Sequence, residues 1–168
     1  TRCLSDWSSD VCSSDLFTHA NPQALNGNAR NMTDEQIKAV AAGGGVIGCV
    51  PYSPLCALER GVQPTIERDL IAHIDYVVNL VGIDHVGIGT DIFAGRTKVI
   101  WESQSVRRYG VTASSGFGHE QRHLADFSDH SGFPRLTEAL MKHGYSDDDI
   151  AKILGGNFLR VFEEVWGS

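Results

Sequence analysis

The sequence predicts an α/β fold in which parallel strands present functional residues at their carboxyl ends. Three short apolar segments have the composition of buried strands, and they run into His19, Tyr52 and Asp91. Helical segments separate these strands, and a βαβαβ order brings the carboxyl ends of parallel strands to one edge of the sheet. The chain is therefore predicted to be part of a β/α enzyme.

The first helix and the strand after it have clear local signals. Thr33, followed three residues later by Gln36, has the pattern of a capping box, so a helix is predicted to begin there. The glycines at 43–45 end that helix. A buried strand is predicted over residues 46–50, and Pro64-Thr65 then begins a helix whose apolar residues recur at spacings of three and four as far as Gly82.

The second half of the chain is predicted to contain one strand, a long loop and three helices. Residues 85–90 form the strand that leads into Asp91. The polar segment at about 95–133 is too long for an ordinary connection, which indicates a lid, a specificity loop or poorly ordered chain. The three predicted helices cover residues 134–143, 146–154 and 157–166.

Composition narrows the class of protein. The chain has 168 residues, of which 42% are hydrophobic and 21% charged, and its formal net charge is −7. Nucleic acids and anionic membranes attract basic surfaces, so neither is expected as a partner. No apolar run reaches the roughly 18 residues that a membrane span needs. The four cysteines, Cys3, Cys12, Cys49 and Cys56, lack CxxC spacing and the density of a disulfide scaffold, so buried or incidental thiols are expected, with a Cys49–Cys56 bridge as the alternative.

The first sixteen residues differ from the rest of the chain. They contain Ser-Ser-Asp twice and have no apolar periodicity. The stretch resembles the translation of a sequencing-library adapter, so residues 1–16 are expected to be non-native and residues 17–168 to be a partial barrel domain without its true N-terminal part. A natural disordered tail rich in Ser and Asp is the alternative.

Several motifs occur in one order along the chain. Thr18-His19-Ala20-Asn21 comes first, Arg30-Asn31 follows, and the later motifs are residues 84–91 and 155–162. This order resembles the renal (membrane) dipeptidase family, whose members are (β/α)8-barrel hydrolases with two carboxylate-bridged zinc ions. They cleave dipeptides and often tolerate a D-residue at the carboxyl side. The resemblance implies the C-terminal part of a (β/α)8 TIM-type barrel of the metal-dependent hydrolase type.

The resemblance also implies roles for four residues. His19 matches a zinc ligand, and Arg30 matches the residue that binds the terminal carboxylate of the dipeptide. Tyr52 would line the same pocket. Asp91 matches the acid/base that exchanges a proton with the metal-bound water and the leaving amine. The family commonly has a second Asp shortly after this one, and residues 92–95 contain none.

The other zinc ligands of the family would precede Phe17, and about three of the eight barrel strands are predicted here. We therefore expect the chain as written to bind zinc weakly, to hydrolyse no dipeptide and to be marginally folded. A homodimer of the intact protein is left open.

Two other functions compete with this interpretation. His119-Glu120-Gln121-Arg122-His123 matches HExxH, in which two histidines one helical turn apart bind zinc in a metalloprotease. Gly155-Gly156-Asn157 could present backbone amides to phosphate at a helix N-terminus, in a non-catalytic β/α protein. Alternatively, the first is a polar loop and the second a tight junction between two helices.

Overall fold

A computed structural model describes residues 16–93, 97–101 and 116–167 of the chain. Its centre is a three-stranded parallel sheet in the order β1-β2-β3. The strands are β1 (Leu16–Phe17), β2 (Val46–Cys49) and β3 (Val86–Ile88). Phe17 pairs with Ile47, which pairs in turn with Val86. The predicted parallel α/β arrangement is therefore confirmed.

Helices connect the strands and follow the sheet in the chain. The α-helices are α1 (Asp34–Ala42), α2 (Ser53–Cys56), α3 (Ile71–Val81), α4 (Lys98–Trp101), α5 (Phe133–His143), α6 (Asp147–Ala151) and α7 (Asn157–Trp166). Wider π-helical turns precede α3 at Ile66–Leu70 and α7 at Lys152–Gly156. Short 3-10 turns lie at Ile83–His85, His119–Gln121 and His130–Gly132.

The signals that predicted the helix ends act as expected. The Thr33 side chain accepts a hydrogen bond from the backbone N–H of Gln36, and the Gln36 side chain accepts one from Thr33, which completes the capping box. The Thr65 hydroxyl likewise accepts from the N–H of Arg68 at the start of the π-turn. Gly82, with φ of 95°, ends α3 in a backbone conformation that favours glycine.

The core forms around β2, whose four residues are all buried. Helix α3 packs against α1 and against β2 and β3, so its apolar side chains cover the sheet. Helix α7 also contacts β2 and β3, and Phe158 lies against Gly87. The largest fully buried side chains are those of Phe127, Met32, Ile37, Ile47, Leu55, Ile66, Leu70, Ile74, Leu124, Leu136, Leu140 and Ile153.

The long polar segment is partly built into this core. Residues 94–96 and 102–115 lie outside the described part of the chain, so the expectation of a lid or poorly ordered loop there stays a prediction. The carboxyl-terminal part of the segment packs tightly, because Leu124 and Phe127 are fully buried and the Asp126 carboxylate accepts from the backbone N–H of Ile66. This stretch therefore contributes apolar side chains to the core.

Several strand boundaries differ from the sequence expectations, and β2 ends at Cys49 rather than at residue 50. Residue His85 belongs to a 3-10 turn, so β3 begins at Val86 and is shorter than the predicted strand. Leu16, which falls in the stretch expected to be foreign, pairs with Val46. Among the described residues, no helix is long and apolar enough to cross a membrane.

Candidate active site at the carboxyl edge of the sheet

The predicted site residues follow the three strands at the same edge of the sheet. The backbone of Thr18 crosses close to Gly48 and Gly89, and a Cβ at either glycine would overlap the Thr18 carbonyl. A Cβ at Gly89 would also lie 3.1 Å from the Cα of His19. Because Gly89 precedes Asp91 by two residues, His19 is held beside the segment that carries Asp91.

His19 and Arg30 are in direct contact. An Nη of Arg30 lies 3.3 Å from Nε2 of His19, and Nδ1 of the same ring lies 2.8 Å from the Thr18 hydroxyl. A guanidinium only donates hydrogen bonds, so Nε2 must accept and carry the lone pair. Nδ1 then carries the proton and donates to Thr18. This tautomer is the one in which Nε2 could bind a metal ion.

Arg30 is exposed on a short loop whose backbone is held by hydrogen bonds to asparagine side chains of the same loop. Its backbone N–H donates to the Asn28 side chain at 3.0 Å, and the N–H of Asn28 donates to Asn26 at 3.1 Å. These are side-chain-mediated turns of the kind that asparagine favours. The loop presents the Arg30 guanidinium at the edge of the sheet, where five fixed donors suit recognition of a carboxylate.

Tyr52 lies at this edge but is buried under His123. It is 3% exposed, and its ring meets that of His123 edge-on with centroids 5.9 Å apart. The two residues also form an isolated antiparallel β-bridge, and the N–H of Ser53 donates to the carbonyl of Arg122. The segment around His123 therefore covers Tyr52, whose pocket-lining role stays a prediction.

Asp91 has a backbone conformation that is uncommon for a residue with a side chain. Its φ is 47°, in the left-handed region, where Asp is more frequent than most other residues. Holding such a residue costs on the order of 1 kcal/mol, and residues of this kind concentrate at functional sites. The strained turn lies directly after β3, at the edge where His19 and Arg30 meet.

Among the described residues, His19 is the candidate zinc ligand. The lone pair of His19 fits one ligand position, since neutral imidazole nitrogen is a common zinc ligand. Zinc needs three or four protein ligands, and no group of three or more His, Cys, Asp or Glu side chains in the described ranges could hold an ion. The described residues therefore cannot complete a zinc site, and His19 would contribute one ligand.

The HExxH interpretation requires two histidines on one face of an α-helix, and that helix is not formed. His119 lies in a 3-10 turn that ends at Gln121, and its Nδ1 is 3.0 Å from the Glu120 carboxylate, which lowers the pKa of Glu120. His123 lies beyond the turn, is 6% exposed, and its Nδ1 is 3.4 Å from the Pro51 carbonyl. The zincin alternative is therefore not supported, because the two histidines lie outside an α-helix and their rings contact different partners.

For Gly155-Gly156-Asn157 the contacts favour a tight junction between two helices over phosphate binding. The backbone kinks at Gly155, whose φ of 161° and ψ of −18° are not helical, and the N–H of Asn157 already donates to the Lys152 carbonyl. The Asn157 side chain donates to the carbonyls of Ile83 and Val86 at 2.7 and 2.8 Å. The predicted junction between two helices is what forms, and Asn157 fastens it to the start of β3.

The sequence predicted no role for Asn21 or Asn31, and for His123 only the zinc-binding alternative, yet all three residues shape this edge. Asn21 and Asn31 are buried between the site segments, and His123 covers Tyr52. Asn21 stands two residues after His19 and Asn31 directly after Arg30, so their proximity to predicted site residues was the available signal.

Comparisons with known proteins agree with the family resemblance. The sequence model of membrane dipeptidase (peptidase family M19) matches residues 15–111 and 110–166. A Klebsiella pneumoniae protein described as an uncharacterized protein in the pqqA 5′ region is 33% identical over 152 residues, which are 90% of this chain and 46% of that protein. Dipeptidase aclJ of Aspergillus oryzae is 27% identical over 150 residues, covering 89% of this chain and 29% of the relative.

A solved structure agrees as well. The crystal structure of an amidohydrolase from Pseudomonas aeruginosa superimposes with a TM-score of 0.74 at 31% identity, covering 91% of this chain and 46% of that one. The chain thus spans less than half the length of each of these proteins. With the family model matching most of its residues, the chain belongs to the membrane dipeptidase family, peptidase family M19.

Proposed function

We propose that this chain supplies the carboxylate-binding and acid/base part of a zinc-dependent dipeptidase site. The observation that carries the proposal is the contact between His19 and Arg30 beside the Gly89–Asp91 turn. A candidate metal ligand and a candidate carboxylate-binding residue are thereby placed next to each other. A dipeptide, with its free carboxylate close to its single peptide bond, suits such an arrangement.

Arg30 is proposed to bind the terminal carboxylate of the dipeptide through its fork of donors. In this structure the same guanidinium donates to Nε2 of His19 at 3.3 Å. Arg30 must therefore turn away before the His19 lone pair can bind a metal ion. Metal binding at His19 and carboxylate binding at Arg30 are compatible because each would replace the same hydrogen bond between the two side chains.

Asp91 is proposed to take a proton from the attacking water and to return it to the leaving amine. Zinc, when bound, supplies Lewis-acid activation of the water and of the substrate carbonyl. The left-handed turn brings the Asp91 backbone to the edge of the sheet near His19, and this proximity supports the proposed proton transfer.

The experiment that tests this proposal uses a chimera. Residues 17–168 are joined to the part of the Klebsiella relative that this chain does not match, and the product is loaded with zinc. We expect hydrolysis of dipeptides, including one with a D-residue at the carboxyl end. The variant Asp91→Asn should lower kcat by about 100-fold or more without loss of zinc. The exposed residue Asp148 provides the matched control, Asp148→Asn, which should leave kcat unchanged.

Either of two results would overturn the proposal. One is a folded, zinc-loaded chimera that hydrolyses no dipeptide, and the other is an Asp91→Asn chimera with the parental kcat. The 168-residue chain by itself is expected to show no turnover, because the described residues hold no complete metal site. A homodimer of the intact protein stays a prediction, which the size of the chimera in solution would test.

A further inference from the structure

Two buried asparagines join the segments that carry the proposed site residues. Asn21 is fully buried and Asn31 is 3% exposed. Asn21 lies two residues after His19, and Asn31 follows Arg30 directly in the chain. Buried amide side chains are costly unless every donor and acceptor is paired, so their partners reveal what they hold together.

The Asn21 side chain ties the end of β1 to both ends of the segment that contains Tyr52. Its Nδ2 donates to the carbonyls of Val50 at 3.0 Å and Leu55 at 3.2 Å. Its Oδ1 accepts from the N–H of Val50 at 3.0 Å. The three bonds use both donors of the amide. They hold Val50, which follows β2, and Leu55, which lies in α2, on either side of Tyr52.

The Asn31 side chain ties the Arg30 loop to the same framework. Its Oδ1 accepts from the backbone N–H of Asn21 at 3.1 Å, and its Nδ2 donates to the carbonyls of Asn26 at 2.8 Å and Leu55 at 3.0 Å. The N–H of Met32 also donates to the Asn21 carbonyl at 2.9 Å. The two asparagines therefore share the Leu55 carbonyl and bond to each other.

This network reinforces the one isolated parallel bridge, between Pro22 and Met32, that pairs the two segments in the described part of the chain. His19 belongs to the end of β1, while Arg30 belongs to a surface loop eleven residues later. A fully paired buried network is rigid, because any displacement leaves a polar group unpaired in a medium of low dielectric constant. The side-chain bonds of Asn21 and Asn31, together with the Pro22–Met32 bridge, therefore set the separation between the segments that carry His19 and Arg30.

We propose that Asn21 and Asn31 are positioning residues that set the spacing between the metal-ligand position at His19 and the carboxylate-binding position at Arg30. The proposal rests on the proposed function of those two positions. The spacing between these two positions limits the length of the substrate that can bind. In this proposal the spacing depends on two residues that touch neither metal nor substrate.

The test compares Asn21→Ser and Asn31→Ser with Asn157→Ser in the 168-residue chain. Asn157 is a matched control because it is equally buried and also donates to two backbone carbonyls, at 2.7 and 2.8 Å, but beside the start of β3. Nitrogen-15 NMR of the histidine rings and arginine side chains detects the hydrogen bond between His19 and Arg30. A titration with L-alanyl-D-alanine, followed at the Arg30 side chain, gives the Kd.

Both site variants should lose the hydrogen bond between His19 and Arg30 and bind the dipeptide about tenfold more weakly. The control should be destabilised to a similar extent in urea yet keep the hydrogen bond and the Kd. If Asn21→Ser does not fold, the hydrogen bond and the Kd measured in Asn31→Ser still decide the proposal.

Retention of the hydrogen bond and of the Kd in both site variants would overturn the proposal, as would equal losses in the control. A wild-type chain that shows the hydrogen bond but binds no dipeptide would instead contradict the proposed function, because the NMR contact is measured without ligand. The two failures are therefore distinguishable.

Discussion

His73 makes the stability of this chain depend on pH. The ring is fully buried in α3, and its Nε2 lies 2.8 Å from the carbonyl of Cys56, to which it donates. Nδ1 is buried without a hydrogen-bond partner in the described part of the chain. Protonation would place a charged, unpaired N–H in the core. Burial accordingly lowers the pKa of His73 from 6.5 to about 4, although the bond to Cys56 and the nearby Asp69 carboxylate oppose the shift.

The size of the effect follows from this difference in pKa. Between about pH 6.5 and pH 4 the unfolded chain binds a proton at His73 that the folded chain does not, so stability falls as the pH falls. The loss is about 2 kcal/mol between pH 8 and pH 5, and about 3 kcal/mol once the pH is below 4. Losses of this size are a large share of the stability of an ordinary domain.

Urea unfolding followed by circular dichroism at pH 8 and pH 5 measures the effect. Other groups also titrate in this range, so the wild type is compared with His73→Gln, whose amide can still donate to the Cys56 carbonyl. The wild type should lose about 2 kcal/mol more than this variant on acidification. The exposed residue His130 supplies the control His130→Gln, which should keep the wild-type dependence. Equal losses in the wild type and His73→Gln would refute the reasoning.

Three further substitutions test how the edge of the sheet and its helices are held. Gly89→Ala should lower the free energy of unfolding by about 1–3 kcal/mol, because the new Cβ would overlap the Thr18 carbonyl. The control Gly118→Ala should leave it unchanged, because a Cβ at Gly118 meets no atom within 4 Å. Thermal unfolding of the two variants measures the difference. Asp69→Asn should cost about 2 kcal/mol in urea unfolding, since this buried carboxylate accepts from two backbone N–H groups and an amide nitrogen cannot. Thr33→Ala should cost about 1 kcal/mol by removing the cap of α1. A neutral Gly89→Ala, Asp69→Asn or Thr33→Ala would contradict the corresponding contact.

Local signals in the sequence predicted the helices and the order of the strands well. The capping box of Thr33 and Gln36 and the terminating Gly82 act within a few residues, so their effect is visible in the sequence itself. The order of strands and helices also predicted that His19 and Asp91 would approach the same edge, because parallel strands align their carboxyl ends.

Features that depend on distant contacts could not be predicted. The pocket-lining role of Tyr52 stays a prediction, but its burial depends on His123, which is far away in the sequence and packs against it. The bonds from Asn21 and Asn31 to Leu55 are equally long-range. Hydrogen bonds of this kind have no periodicity, so an isolated asparagine in a sequence does not show whether it is buried.

The central claim is that the edge of the sheet around His19 and Arg30 recognises the free carboxylate of a dipeptide. Its most direct test is the ratio of kcat/KM for L-alanyl-D-alanine to that for its C-terminal amide, measured in the zinc-loaded chimera and in its Arg30→Gln variant. The account predicts a strong preference for the free carboxylate in the parent and a loss of most of that preference in Arg30→Gln, through a raised KM for the free dipeptide. An unchanged preference in the variant would contradict the account.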